Sequence, residues 1–213
     1  MTVTADWYFD YISPYPYLQL ARFDELPSDL IINPKPVLFA ALLNHWGQLG
    51  PAEIPAKARQ TFYYTRWLAE QRGLAFEGPP RHPFNPLALL RLTHSLGSSL
   101  TIVRTVYDHV WGRGHDGMSP EILDKLAENL SVSDLQERLS DPANKEAIKT
   151  NTDEAITRGV YGVPTFAVGE HLFWGDDVTP MFVDFFQDPN LFEQPGFAKA
   201  QTITPAAVRR PKG

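Results

Sequence analysis

The sequence predicts an α/β fold in which a small sheet domain is split by a large all-helical insertion. Three observations predict it. A short aromatic, β-branched segment opens the chain and runs through a turn into a helical pattern; helical periodicity with repeated helix punctuation fills residues 55–158; and short strands return only after Gly159. At 213 residues, the chain suits one enlarged domain or a core with an inserted module, not two large independent domains.

Val3 to Phe9 (VTADWYF) reads as the first strand, and residues 10–14 (DYISP) as a turn. Ser13 before Pro14 is a helix-start signal, since serine accepts first-turn N–H groups and proline at the first helical position loses no hydrogen bond. Apolar positions at Tyr17, Leu18, Ala21 and Leu26 continue the helix. Residues 30–32 (LII) and 36–39 (PVLF) offer the next strand, parallel to the first because a helix intervenes. In the helical stretch, Asn85-Pro86, Ser119-Pro120 and Asp141-Pro142 each set a capping side chain before proline, and Gly73, Gly97 and Gly159 stand where helices should stop. Ser133 and Gln136 have the spacing of a capping box. Residues 163–168 (VPTFAV), a Gly169-Glu170 turn and residues 171–174 (HLFW) predict a β-hairpin, followed by a helix over 179–186. The expected organisation is a sheet domain in two parts, residues 1–50 and 159–190, around a helical insertion at 51–158, with an irregular tail at 191–213. That order of elements is the order of a thioredoxin-like domain carrying a helical insertion.

Composition narrows the function. The net charge of −6 disfavours nucleic acid and anionic membrane surfaces as partners. The first residues lack a basic region followed by an apolar stretch, and no run of about 18 apolar residues occurs, so a soluble cytoplasmic protein is expected. There is no cysteine. Disulfides, thiolate metal sites and protein-borne thiol chemistry are therefore excluded, and any sulfur chemistry must use a cofactor's sulfur. No metal site is expected: Gly112 and Gly114 should break the helix between His109 and His115, whose spacing keeps them off one helix face.

Three places carry candidate chemistry. Ser13 sits where a strand meets a helix start, a position that favours an anion. With no base nearby in sequence it is a poor nucleophile, and a better hydrogen-bond donor to another molecule's thiolate; taken alone it is a helix cap. Val163-Pro164 opens a strand that should lie inside the sheet, where proline is unusual. A cis bond there would leave the Val163 backbone free to pair with an extended peptide; the plainer alternative is a trans proline at a strand start. Trp174, Gly175, Asp176 and Asp177 place two carboxylates at the start of the last helix, suited either to an amino-acid end group or to helix capping. Phe62, Tyr63, Trp67 and Trp111 divide between core and pocket, and Arg66 and Arg91 between a substrate carboxylate and acidic neighbours.

Residues 8–18 (YFDYISPYPYL), 36–38 (PVL), 54–57 (IPAK), 159–166 (GVYGVPTF) and the LFWG-x-D run at 172–177, taken in order over about residues 6–187, resemble the 2-hydroxychromene-2-carboxylate isomerase family. Its near relatives are the kappa-class glutathione transferases. The resemblance implies a thioredoxin-like fold with a helical insertion, glutathione as cofactor and an aromatic 2-oxo acid as substrate. It implies that Ser13 stabilises the glutathione thiolate, that Pro164 is the cis-proline, and that the Val163 backbone pairs with the tripeptide beside Trp174. Asp176 and Asp177 then hold the γ-glutamyl end, Lys57 reaches the tripeptide or substrate, and Asn44 lies near the sulfur. A homodimer is expected, since relatives are commonly dimers. Pro16 and Pro180 depart from the family pattern, and Pro180 could move the start of the last helix. Two other functions fit the same pattern: a kappa-like transferase that conjugates an electrophile, and a non-catalytic peptide-binding protein that keeps only the Val163-Pro164 loop.

Overall fold

A computed structural model describes residues 3–206. Strand β1 (Val3–Phe9) leads into α1 (Pro14–Leu20), with Ser13 at the N-cap and Pro14 in the first turn. Strand β2 (Leu30–Pro36) pairs parallel to β1, Val3 opposite Leu30 and Phe9 opposite Pro36. It ends earlier than expected. The Val37 N–H still bonds the Phe9 carbonyl at 3.0 Å, but Phe39 begins an unforeseen helix, α2 (Phe39–His45).

The middle of the chain is helical: α3 (Pro55–Gln71), α4 (Leu87–Ser95), α5 (Leu100–Tyr107), α6 (Pro120–Asn129), α7 (Leu135–Ser140) and α8 (Pro142–Thr157). Gly73, Gly97 and Gly159 all adopt left-handed backbone just past a helix, where the sequence places helix stops. Asp141 caps α8 by accepting the Ala143 N–H at 2.8 Å. The capping box at Ser133 does not form, because α7 starts one residue later, with Asp134 at its N-cap. Helix α5 does not stop before Gly112 either. It widens into a π-helical turn, Asp108–Gly112.

Strands β3 (Thr165–Val168) and β4 (His171–Trp174) form the expected hairpin, and α9 (Thr179–Gln187) follows with Pro180 tolerated in its first turn. The tail is more ordered than its composition suggests. A 3₁₀ turn (Leu191–Glu193) sets Phe192 against Phe173 and Phe185, and a short helix, α10 (Pro195–Gln201), follows; residues 207–213 of the expected tail lie outside the described residues.

The sheet order is β2-β1-β3-β4, with β3 antiparallel to both neighbours. Side chains alternate along β1, so Ala5, Trp7 and Phe9 enter one core with Phe166, Phe173, Phe182, Tyr107 and Trp111, while Tyr8 enters a second with Val37, Leu42, Ala155 and Val163. Helix α8 covers the second face. Its Thr152 hydroxyl accepts the Leu38 N–H at 3.0 Å, and Glu154 accepts from Tyr8 at 3.1 Å and Lys35 at 3.2 Å. Among the described residues no helix is long and apolar enough to cross a membrane.

Candidate active site

The turn between β1 and α1 satisfies only part of its own backbone, and the middle of the chain supplies donors for its carbonyls. The Asp10 carbonyl accepts the Ser13 N–H at 3.1 Å and the Tyr107 hydroxyl at 2.8 Å. The Tyr11 carbonyl accepts the Trp111 indole N–H at 2.8 Å, which the π-helical turn brings into place. The Ile12 carbonyl accepts from His82 Nε2 at 2.8 Å. His82 is packed against Phe62 and Trp111, and burial pushes its pKa below the usual 6.5, so the ring is neutral at neutral pH. Three successive carbonyls before Ser13 are thus held from outside the sheet.

Ser13 itself is 7% exposed and its side chain caps no amide of α1. It lines a cavity of about 660 Å³ together with Ile12, Tyr15, Asn44, Phe62, His82 and the loop from Tyr161 to Val163. That volume lies within the ~300–1,000 Å³ typical of small-molecule sites. The Val163–Pro164 peptide is cis. No described residue pairs with the Val163 N–H, whereas the Pro164 carbonyl accepts from the Gly175 N–H at 2.9 Å. The loop therefore leaves beside the cavity an amide with no partner among the described residues. Trp174 closes this side, edge-on to Tyr161 with ring centroids 5.1 Å apart.

The remaining residues singled out from sequence fall in different places. Asn44 lines the cavity from α2. Lys57 is exposed in the first turn of α3 and lies outside the wall, one residue before the lining Ala58. The two aspartates separate. Both oxygens of Asp176 are taken by the Arg72 guanidinium, at 2.9 and 2.7 Å, and its side chain is buried, so it is not open to a ligand. Asp177 is exposed and close enough to Tyr15 to help raise that phenol's pKa, although burial is the larger cause. Trp111 is core, while Tyr63 and Trp67 are exposed. Arg66 pairs with Glu70, and Arg91 donates to the Leu139 carbonyl.

The expected separation of His109 and His115 is not what the fold produces. The π-helical turn and the left-handed Gly114 bend the chain back, so the rings lie 4.3 Å apart and their Nδ1 atoms share one hydrogen bond at 3.2 Å. Burial, followed by the neighbouring His115 and Arg113, lowers the His109 pKa to about 4, so the His109 ring is neutral at neutral pH. Among the described residues no group of three or more His, Asp or Glu is arranged to hold a metal ion.

Backbone crowding fixes the Trp174 wall. A Cβ added at Gly162 would collide with the Trp174 indole Nε1 and stand 2.9 Å from Cδ1. Gly162→Ala is expected to displace Trp174 and to destabilise the fold by ~1–3 kcal/mol, as overpacking does. Urea unfolding together with the Trp174 indole N–H resonance checks this; an unmoved resonance contradicts it.

A four-stranded mixed sheet with its cavity between the first turn and a cis-proline loop defines a thioredoxin-like protein with a helical elaboration. The model of the DsbA-like thioredoxin domain matches residues 4–187, and the chain belongs to that family. It is 28% identical over 191 residues to 2-hydroxychromene-2-carboxylate isomerase of Sphingobium xenophagum, covering 83% of this chain and 94% of that protein. It is 25% identical over 205 residues to glutathione S-transferase kappa 2 of Caenorhabditis elegans, covering 86% and 91%. A solved structure of 2-hydroxychromene-2-carboxylate isomerase superposes with a TM-score of 0.77 at 23% identity, covering 94% of this chain and 100% of that one, a likeness of fold.

Proposed function

We propose that this chain is a glutathione-dependent cis–trans isomerase of an aromatic 2-oxo acid of the 2-hydroxychromene-2-carboxylate type. The observation that carries the reading is the Ser13 hydroxyl, which caps nothing and lines the same large cavity as the unpaired Val163 amide. The residues present suit glutathione. Val163 would hold an extended tripeptide backbone through its N–H, Trp174 would cover it, and Asp177 would take its ammonium end, since Asp176 is committed to Arg72. Bound there, glutathione supplies the thiol that this cysteine-free chain lacks, and reversible addition of its thiolate to a conjugated double bond permits rotation about that bond.

The chain's own residues perform the rest. Ser13 donates its hydroxyl proton in a hydrogen bond to the sulfur anion and favours the charged form. The Asn44 side-chain amide donates to the negative charge that develops on the substrate's 2-oxo oxygen. Lys57, beside the wall residue Ala58, meets a carboxylate at the mouth. Phe39, Phe62 and Tyr161 receive the aromatic ring and keep water from it.

The test is ultraviolet difference titration of glutathione with and without protein. Thiolate absorbance should appear at neutral pH, with a midpoint below the ~8.5 of a free thiol. Turnover of a conjugated 2-oxo acid should return all the free thiol. Absence of the thiolate signal overturns the reading, and stoichiometric loss of thiol replaces isomerisation with conjugation.

A further inference from the structure

Asp10, three residues before Ser13, is completely buried, and no cation contributes to its environment among the described residues. Its two oxygens go to different walls of the cavity. Oδ1 accepts the Ile12 N–H at 3.1 Å, inside the Ser13 turn, and Oδ2 accepts the Phe39 N–H at 2.8 Å, at the start of α2. Helix α2 depends on such a tie. It is seven residues long, Leu42 is its only fully buried side chain, and its N-cap residue is Leu38, which has no side-chain acceptor. Asp10 therefore supplies from another element the cap that α2 lacks.

We propose that Asp10 is a positioning residue whose carboxylate locks the Ser13 turn and α2 in one register, so that the Ser13 hydroxyl and Asn44 address the same substrate. The geometry stands on its own; the consequence for turnover rests on the glutathione reading above. An ionised carboxylate accepts at both oxygens with charge-assisted strength, whereas protonation turns one oxygen into a donor and weakens one of the two ties. Burial raises the Asp10 pKa to about 7, against the pull of the two amides. The groups around it carry no charge at neutral pH: burial holds the Tyr11 and Tyr107 phenols neutral, and His82 at the Ile12 carbonyl is neutral too. The sign follows. A carboxyl raised in the folded state favours folding most below its ordinary value of 3.8, and this contribution is lost as pH rises through about 7, while the lock is complete only above it. Stability and positioning thus pull in opposite directions across neutral pH.

The decisive experiment follows the wild-type amide resonances of Ile12 and Phe39 with pH, and compares Asp10→Asn in turnover and in the titration of bound glutathione. The two amides should move together with one midpoint near 7. Asp10→Asn should lower kcat by about tenfold or more, as a misplaced catalytic group does, with the KM for glutathione changed far less. Independent or absent titration of the two amides overturns the proposal, as does wild-type turnover in the variant. If wild-type protein binds no glutathione, the cofactor reading falls, and the amide titration, which needs neither ligand nor variant, still decides the lock.

Discussion

Replacing Ser13 with alanine should reduce kcat/KM at neutral pH by about 10²–10³-fold, the usual effect of removing one donor from a developing or resident anion. Folding should hardly notice. Loss of a serine cap ordinarily costs about 0.5–2 kcal/mol, but this side chain makes no cap hydrogen bond to lose. The signature that separates the proposed role from a structural one is the pH profile. Without the hydroxyl the bound thiol moves back toward ~8.5, so the deficit should shrink as pH rises and the sulfur ionises unaided. A variant with the wild-type pH profile would remove Ser13 from the mechanism, whatever its absolute rate.

Trp111→Ala should be strongly destabilising, at about 3–5 kcal/mol, the range for emptying a fully buried tryptophan site. The ring is 0% exposed, packs against Phe76 and His82, and its N–H holds the Tyr11 carbonyl at 2.8 Å. Deleting it leaves that acceptor buried without a partner, which accounts for part of the loss. Trp67→Ala is the control. That ring is 53% exposed, and its removal should stay within about 0.5 kcal/mol. Urea midpoints at constant m-value measure both; equal losses for the two tryptophans would contradict the assignment of Trp111 to the brace beneath Ser13.

What could be read from the sequence was local. The first strand, the Ser13-Pro14 helix start, the glycine stops and the closing hairpin each depend on residues within a few positions, and each is found where expected. Helix α2 left no trace, because one buried leucine produces no periodicity and its cap comes from Asp10, 29 residues away. Asp176 and Asp177 look equivalent as neighbours. Only the fold brings Arg72, 104 residues distant in sequence, to one of them. The histidine pair escaped because a period of 3.6 residues does not describe a π-helical turn. His82 carried no motif, and its importance follows from the carbonyl it reaches, 70 residues earlier. The cavity wall thus came out unevenly: Ser13, Val163, Trp174 and Asn44 line it as singled out from sequence, while His82, which also lines it, and Asp10, which braces it, became visible only in three dimensions.

Strand β2 has a further consequence. It lies at the border of the sheet and contains Pro34 and Pro36. Since the Val37 N–H turns inward to Phe9, the alternate positions 32, 34 and 36 present their nitrogens outward, and two of these are prolines with nothing to donate. The Leu30 N–H is already bonded to the Pro27 carbonyl at 3.1 Å. Of the outward-facing positions of this strand, Ile32 alone has an N–H left to donate to an incoming strand. Cross-β stacking of one molecule on the next, the route by which exposed sheet borders seed fibrils, is therefore hindered here by the chain's own covalent chemistry.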